Sequence, residues 1–249
     1  VLIAEDNITN QKVAQGTLRK LGLTSETVLN GEEAIKALEN RDYSLVLMDV
    51  QMPILDGIEA TKRIRMDNSL VRNRDIPIIA MTARAMVGDR EECLKAGMND
   101  YVPKPINIEE LVAALKRQLL PKKTKIAVTR PEEKPCADDC FDKSVLLNML
   151  MGDENLAQNI LDEFLKDLPK QIDKLEQLLD ERISEEAKRQ AHSIKGASAN
   201  VGAKALQKTA KAIEHLAPVA TKEEALDLVE KARRELLRLI EYRNRELGD

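Results

Sequence analysis

The stretch from Ser44 to Pro53 limits what this chain can fold into more than any other part of the sequence. Four apolar residues, Leu45–Met48, run directly into Asp49, and Pro53 prevents the segment from continuing. A short apolar run ended by a breaker is typical of a strand buried on both faces of a parallel sheet. Such a strand would place Asp49 at the carboxyl edge of the sheet, where open α/β sheets bind ligands. Taken alone, the stretch fits a turn aspartate equally well.

Strand and helix patterns alternate five times over the first 120 residues. Predicted strands begin at positions 1, 23, 45, 76 and 100, and a helical pattern of apolar residues follows each of them. This alternation predicts an α/β domain over residues 1–120, a doubly wound parallel sheet of five strands with helices on both faces.

The pattern changes from Pro121 onward. Residues 121–139 are charged, contain proline and show no period, which is typical of a linker. Residues 140–249 carry only the helical period, in five segments, and predict an all-α helical bundle. Pro169 lies inside the second of these segments, where we expect a kink.

Composition argues against several classes of function. The net charge is -4, aromatic residues make up 2% of the chain and Trp is absent, so we expect no nucleic-acid partner. The sequence has no apolar run near the roughly 20 residues that span a bilayer, and no secretory signal, so we expect a cytoplasmic chain without membrane contact. Because the sequence begins with Val1 inside a predicted strand, we expect a piece of a longer protein.

The three cysteines suit a reducing compartment. Cys136 and Cys140 are close enough in sequence to be half of a metal clip, but a structural zinc site needs four ligands and there is no second cysteine pair. Free thiols are the better interpretation, and the role of this pair stays open.

Polar side chains follow four of the five predicted strands. Glu5 and Asp6 follow the first strand, Asp49 the third, Thr82 the fourth and Lys104 the fifth. Because parallel strands end at one edge, three carboxylates, a hydroxyl and an ammonium should converge there. Mg²⁺ prefers such oxygen ligands and offsets charge in phosphoryl transfer. The set therefore predicts an aspartyl-phosphate site in which Asp49 is the nucleophile and Lys104 and Thr82 contact phosphate oxygens.

Residues 1–120 resemble a response-regulator receiver domain. The matching segments are Glu5-Asp6-Asn7, Asp49-Val-Gln-Met-Pro53, Asp56-Gly57, Met81-Thr82-Ala83, Tyr101 and Lys104-Pro105. The resemblance implies a flavodoxin-like fold and phosphate on Asp49. It implies Mg²⁺ held by Glu5, Asp6, Asp49 and the backbone carbonyl of Gln51. It further implies a cis peptide before Pro105 and a conformational switch formed by Thr82 and Tyr101. The alternative is a degenerate receiver kept only as an interaction surface.

One of the two histidines lies in a second motif. His192 falls off the apolar stripe of its predicted helix, beside Lys188 and Lys195 at helical neighbour spacing, so we expect an exposed imidazole on a positive face. That face suits a group that becomes an anionic phosphohistidine. Gly196, one turn later, costs helix stability but leaves the backbone bare for an approaching partner. His215 matches no motif, and we expect a solvated helix position.

The pattern His192-x-x-Lys195-Gly196, with Ser198 and Gly202-Ala203 after it, resembles a histidine phosphotransfer (Hpt) domain over roughly residues 140–249. The resemblance implies that His192 carries phosphate, that Lys195 neutralises it and that Gly196 opens the face. The two modules together resemble the C-terminal part of a hybrid sensor histidine kinase without its kinase core. The sequence contains no Gly-rich ATP-binding segment, so we expect the chain neither to bind nor to hydrolyse ATP by itself. Whether the chain is itself an enzyme stays open.

Together the resemblances imply a phosphorelay. Asp49 would accept phosphate from an upstream histidine kinase core, in the same full-length chain or in another, and His192 would exchange it with a downstream response regulator receiver. The direction of flow, and whether transfer stays within one chain, remain open. The chain would be cytoplasmic, alone or as the cytoplasmic part of a membrane-bound sensor. The rival hypothesis is a phosphorylation-gated docking adaptor without histidine transfer.

Overall fold

The computed structural model describes residues 1–82, 87–119, 141–181, 185–216 and 221–246, which fold into two domains. The first is an α/β domain. Its elements are β1 (Leu2–Ala4), α1 (Ile8–Lys20), β2 (Glu26–Val28), α2 (Gly31–Asn40), β3 (Val46–Asp49), α3 (Gly57–Arg65), β4 (Ile78–Thr82), α4 (Val87–Lys95), β5 (Asp100–Pro103) and α5 (Ile108–Leu119).

All regular secondary structure in the described residues of the second domain is helical. It contains α6 (Lys143–Met149), α7 (Glu154–Glu181), α8 (Glu185–Val201), α9 (Lys204–Glu214) and α10 (Lys222–Glu246). Pro169 lies within α7, which the structure assigns as a single helix on both sides of it. Among the described residues, no helix combines the length and the apolar character needed to cross a bilayer.

The sheet is parallel, with strand order β2-β1-β3-β4-β5. Because β3 lies between β1 and β4, its four residues are buried, and separate apolar clusters cover the two faces of the sheet. Side-chain caps begin the helices that follow three of the strands, with Asn7, Asn30 and Asp56 accepting hydrogen bonds from the first turns of α1, α2 and α3. The predicted α/β alternation and the parallel sheet of five strands are thus confirmed.

The two domains pack through α1. Val13 lies in the same buried apolar cluster as the core of the helical domain. One turn further along α1, the Thr17 hydroxyl contacts the carbonyl oxygen of Met149 at 3.1 Å. Buried amides also meet across the interface, where Asn200 Nδ2 donates to Asn10 Oδ1 at 2.8 Å. The contact is therefore packed like a domain core along part of its length, and α1 serves both domains.

Charged pairs lie at the rim of this interface. Lys20 Nζ is 2.5 Å from Asp153 Oδ2, and Lys12 pairs with Glu163. The predicted linker over residues 121–139, with Cys136 and Cys140 in or beside it, falls outside the described residues. Cys93 is buried and is not part of a disulfide.

Candidate functional site

Three carboxylates meet at the carboxyl edge of the sheet, as the strand order requires. Glu5, Asp6 and Asp49 each offer one oxygen within 4.8 Å of the others. Lys104 bridges two of them, with Nζ 2.6 Å from Glu5 Oε2 and 2.7 Å from Asp49 Oδ2. The peptide bond from Lys104 to Pro105 is cis, as the receiver resemblance implied. The structure thus brings together the acidic residues and the ammonium that the sequence predicted.

A glycine lets α3 begin directly against the site. A Cβ atom on Gly57 would lie 2.1 Å from the carbonyl oxygen of Asp49, and the Gly57 amide donates to the Val50 carbonyl at 3.0 Å. Real Cβ atoms do not approach backbone so closely, so any side chain at position 57 would displace Asp49 or α3. Gly57 therefore holds the end of β3 in place.

The electrostatics of this cluster favour a bound cation. Burial and the charges of Glu5 and Asp6 raise the pKa of Asp49 to about 8 against the opposing charge of Lys104. Burial and the charge of Glu5 raise the pKa of Asp6 to about 7, again against Lys104. Burial lowers the pKa of Lys104, but Asp49 and Glu5 outweigh it, so the net shift is upward and Lys104 stays charged. One ammonium thus faces three carboxylates, and an all-oxygen donor set with surplus negative charge fits a hard divalent ion.

The remaining predicted residues of this edge lie around the carboxylates. Thr82 ends β4 and is buried, and Tyr101 lies on the neighbouring strand β5, half-buried, with the Arg90 guanidinium 5.3 Å from its ring centroid. Gln51 is exposed, and its backbone amide donates to Asp49 Oδ1 at 3.2 Å. Thr82 and Tyr101 therefore occupy adjacent strands, as a switch pair would.

The second predicted centre lies on α8. The Nδ1 atom of His192 is 2.7 Å from Glu214 Oε1, and Lys195 Nζ is 2.6 Å from Glu214 Oε2. Lys188 instead pairs with Glu185, one turn back on the same helix, at 2.9 Å. The face around His192 is thus not simply positive, because Glu214 offsets the charge of Lys195.

The expectation of an exposed imidazole is wrong. His192 is only 7% exposed. Residues on the same face of α8 contact α1 of the first domain, and Glu214 reaches the ring from α9. The ring is therefore enclosed by polar groups at the domain interface. The predicted apolar stripe is confirmed where the structure describes it, at Ala187, Ala191, Ile194 and Val201. His215 is exposed, as expected.

The protonation states around His192 follow from its partners. Burial lowers the pKa of His192, and the hydrogen bond to Glu214 opposes this only in part. Burial raises the pKa of Glu214, but hydrogen bonds from His192 and Lys195 outweigh it and bring the pKa to about 2. An ionised carboxylate only accepts hydrogen bonds, so Nδ1 of His192 carries the proton and Nε2 holds the free lone pair. The neutral ring is thus a nucleophile at Nε2.

Sequence reasoning missed Glu214. It lies 22 residues from His192 and on another helix, next to the solvated His215, so neither periodicity nor the Hpt motif points to it. Only the packing of α8 against α9 brings its carboxylate to the imidazole. The one signal was its position as the last residue of an amphipathic helix, which many glutamates share.

Comparisons with known proteins match both halves of the chain. Residues 1–116 match the family model of the response regulator receiver domain, and residues 159–244 match that of the Hpt domain. The chain is a receiver domain joined to an Hpt domain. This combination of domains is that of phosphorelay signal transduction.

Similar proteins are hybrid kinases. The signal transduction histidine-protein kinase BarA of Shigella flexneri is 31% identical over 230 residues, 91% of this chain and 25% of that protein. Hybrid signal transduction histidine kinase K of Dictyostelium discoideum is 44% identical over 119 residues, 46% of this chain and 10% of that protein. The chain thus spans a quarter or less of these relatives. Among solved structures, the receiver domain of a Pseudomonas aeruginosa sensor histidine kinase is 45% identical, with a TM-score of 0.43, and the match covers 47% of this chain and 94% of that one.

The acidic edge of the receiver lies against α8, the helix that carries His192. Asn7, next to the acidic cluster, donates through Nδ2 to Ser193 Oγ at 3.1 Å. Asn10 Nδ2 donates to Glu5 Oε1 at 2.8 Å, and a Cβ on Gly196 would lie 3.4 Å from that nitrogen. Gly196 thus lies directly beside α1, at a distance where a Cβ atom would just reach ordinary contact with Asn10.

Long-range charge effects between the domains agree with this arrangement. The ammonium of Lys104 contributes to the lowered pKa of His192. In the other direction, the ammonium of Lys174, on α7 of the Hpt domain, lowers the pKa of Asp6 against the larger effect of burial. The acidic edge of the receiver therefore faces the Hpt surface beside His192.

Proposed function

We propose that Asp49 and His192 exchange one phosphoryl group within this chain. The observation that carries the proposal is the docking of the acidic edge against α8, in which Asn7 and Asn10 link the cluster around Glu5 to the helix of His192. Proximity of this kind converts a bimolecular transfer into an intramolecular one.

Each step conserves charge and atoms. A carboxylate oxygen of Asp49 forms a bond to phosphorus while the P–N bond of an upstream phosphohistidine breaks. Nε2 of His192 then bonds to phosphorus, and the P–O bond to Asp49 breaks and restores the carboxylate. Glu214 accepts the proton of Nδ1 in a hydrogen bond and stabilises the positive ring that forms. The same steps run backward from His192 to Asp49.

The remaining residues have supporting roles. Lys104 contacts the phosphoryl oxygens on Asp49, and Thr82 donates a hydrogen bond to another of them. Thr82 and Tyr101 form the switch between the two phosphorylation states. On the Hpt side, Lys195 balances the charge of the phosphohistidine, and Lys188 contributes a weaker, more distant charge.

Receiver domains generally bind Mg²⁺, and the donor set here suits it. Glu5, Asp6, Asp49 and the backbone carbonyl of Gln51 would hold the ion, which supplies charge compensation for the phosphoryl oxygens when bound. The raised pKa values of Asp6 and Asp49 support this assignment, since both carboxyls lack a full complement of opposite charge.

Intact-mass measurement after treatment with acetyl phosphate tests the proposal. We expect Mg²⁺-dependent phosphate on the wild-type chain, none on Asp49→Asn, and phosphate trapped on Asp49 in His192→Gln. The trapped adduct should be acid-stable, and that on His192 acid-labile. Labelling of Asp49→Asn at the wild-type level would overturn the assignment of Asp49 as the phosphate acceptor. The absence of acid-labile phosphate in the wild type under every condition would favour the docking adaptor.

The flow of phosphate beyond the chain follows the same logic. We propose that an upstream histidine kinase core loads Asp49 and that a separate response regulator receiver exchanges phosphate with His192. A time course of acid-labile phosphate and inorganic phosphate after loading separates onward transfer from a drain that runs backward to Asp49.

A further inference from the structure

A glycine in the middle of α1 serves the interface and not the helix. Gly16 lies inside a 13-residue helix, where glycine is less favourable than alanine. A Cβ atom at this position would lie 3.0 Å from Cδ2 of Leu150 and 3.0 Å from Cδ2 of Leu156, both in the Hpt domain. The missing side chain therefore makes room for two leucines of the other domain.

The neighbours of Gly16 on α1 belong to the same contact. Thr17, the next residue, and Val13, one turn earlier, are buried against the Hpt domain. Lys20, one turn after Gly16, pairs with Asp153. Leu150 is fully buried and Leu156 half-buried, so Leu156 has more room than Leu150 to move away from an added side chain. The contact lies away from the acidic edge and thus takes no part in the transfer chemistry.

The seated receiver covers the helix face on which His192 lies. Ser193, Gly196 and Asn200, at one, four and eight positions after His192, all face α1. A second receiver that approached His192 would need this same face. Seating of the chain's own receiver and docking of another are thus mutually exclusive.

We propose that Gly16 is the specificity determinant that seats this receiver on its own Hpt domain, and that the seated receiver closes His192 to any second receiver. The role of the second receiver rests on the proposed function, whereas the seating itself does not. Phosphate can then pass from Asp49 to His192 in the closed state, but it can leave for another receiver only after the domains separate.

Acylation of histidine by diethyl pyrocarbonate tests the seating without any phosphate. The chain has two histidines, and His215, with its side chain 51% exposed against 9% for His192, is an internal reference in the same molecule. We expect Gly16→Leu to raise the ratio of His192 to His215 acylation severalfold, as read by peptide mass spectrometry. Because leucine favours a helix over glycine, the receiver should keep its fold, which circular dichroism checks.

A second substitution shows whether space is the cause. Leu156→Ala removes the half-buried leucine side chain, so Gly16→Leu combined with Leu156→Ala should return the acylation ratio toward that of the wild type. The ratio for Gly16→Ala should fall between those of the wild type and Gly16→Leu. An unchanged ratio in a folded Gly16→Leu chain would overturn the proposal, because His192 would then be shielded by its own domain alone.

The phosphate experiment uses two full-length chains. A donor chain with His192→Gln is loaded on Asp49, and an acceptor chain with Asp49→Asn offers only His192. We expect slow transfer between them, accelerated severalfold when the acceptor also carries Gly16→Leu. Equal transfer rates despite raised acylation would refute the proposal that the seated receiver closes His192. The absence of any phosphate on His192 in both acceptors would refute the proposed function, and the acylation ratio alone would then decide whether Gly16 seats the receiver.

Discussion

One carboxylate, that of Glu214, binds both the imidazole of His192 and the ammonium of Lys195. Its two oxygens lie 2.7 Å from His192 Nδ1 and 2.6 Å from Lys195 Nζ. This arrangement fixes the ring orientation and the tautomer, and it keeps Lys195 beside the site where the phosphohistidine would form. Glu214 is therefore the positioning residue of the Hpt centre, although it does not touch the phosphate in the proposed transfer.

The first prediction concerns a substitution that removes the charge of Glu214. In Glu214→Gln, transfer from Asp49 to His192 should slow by roughly tenfold, since a hydrogen bond to a charged group contributes about 1.5 kcal/mol or more. Rapid-quench measurement of acid-labile phosphate gives the rate. Glu241→Gln, a change at an exposed glutamate that pairs with Arg245 at 3.7 Å, is the matched control and should transfer at the parent rate. Equal rates in the two variants would contradict the role of Glu214.

The second prediction concerns acid stability. The folded-state pKa of His192 lies below its ordinary value of 6.5, so the unfolded chain takes up a proton there before the folded chain does. This contribution to stability is complete above pH 6.5 and is lost as the pH falls through the lowered pKa. Glu214, with its pKa lowered from 4.5 to about 2, adds a further loss between those pH values.

Melting temperatures from circular dichroism between pH 7.5 and 5 measure this dependence. Because the raised pKa values of Asp6 and Asp49 act in the opposite direction, each variant is compared with the parent at the same pH. As the pH falls from 6.5 to 5, His192→Gln should lose less stability than the parent, whereas His215→Gln, a change at an exposed ring, should follow the parent. A steeper slope in His192→Gln would mean that the folded state favours the charged imidazole.

The acidic edge could be predicted because it depends on topology and not on packing detail. Alternating strands and helices force a parallel sheet, and a parallel sheet gathers the residues after its strands at one edge. Asp49 and Lys104 are 55 positions apart, yet each follows a recognisable strand. The position of each within its own segment was therefore enough to bring the two together.

The surroundings of His192 could not be predicted in this way. Helical periodicity correctly placed the ring off the apolar stripe of α8, and that normally means exposure to solvent. The ring is buried beside Glu214 of α9 and Lys195, on a helix from which Asn200 contacts Asn10 of the other domain. A period within one helix carries no information about a surface contributed by another domain.

The third prediction tests the buried cation of the receiver. Lys104, with its side chain 3% exposed, lies between Glu5 and Asp49, and Lys104→Gln leaves these carboxylates unpaired. The free energy of unfolding without Mg²⁺ should fall by about 3 kcal/mol. Added Mg²⁺ should restore more stability to the variant than to the parent, because the ion then replaces the lost ammonium between Glu5 and Asp49.

Urea unfolding with and without Mg²⁺ measures both effects. Lys95→Gln is the control, since Lys95 is exposed and its Nζ atom lies 3.8 Å from Glu91 Oε2. An exposed pair of this kind contributes less than about 1 kcal/mol. A loss in Lys104→Gln no larger than that of the control would show that the carboxylates do not depend on the ammonium.

The fourth prediction separates backbone strain from steric conflict in the Hpt domain. Gly202 and Gly152 both adopt left-handed φ angles, of +83° and +79°, so alanine at either costs about 1 kcal/mol or more in strain. Only at Gly202 would the added Cβ meet backbone, 2.1 Å from the carbonyl oxygen of Asp142; at Gly152 nothing lies within 4 Å. Gly202→Ala must therefore push the end of α8 away from the start of α6 and should lower the melting temperature well beyond Gly152→Ala. Equal losses would mean that this junction yields without cost, and that the helix carrying His192 is not anchored at its C-terminal end.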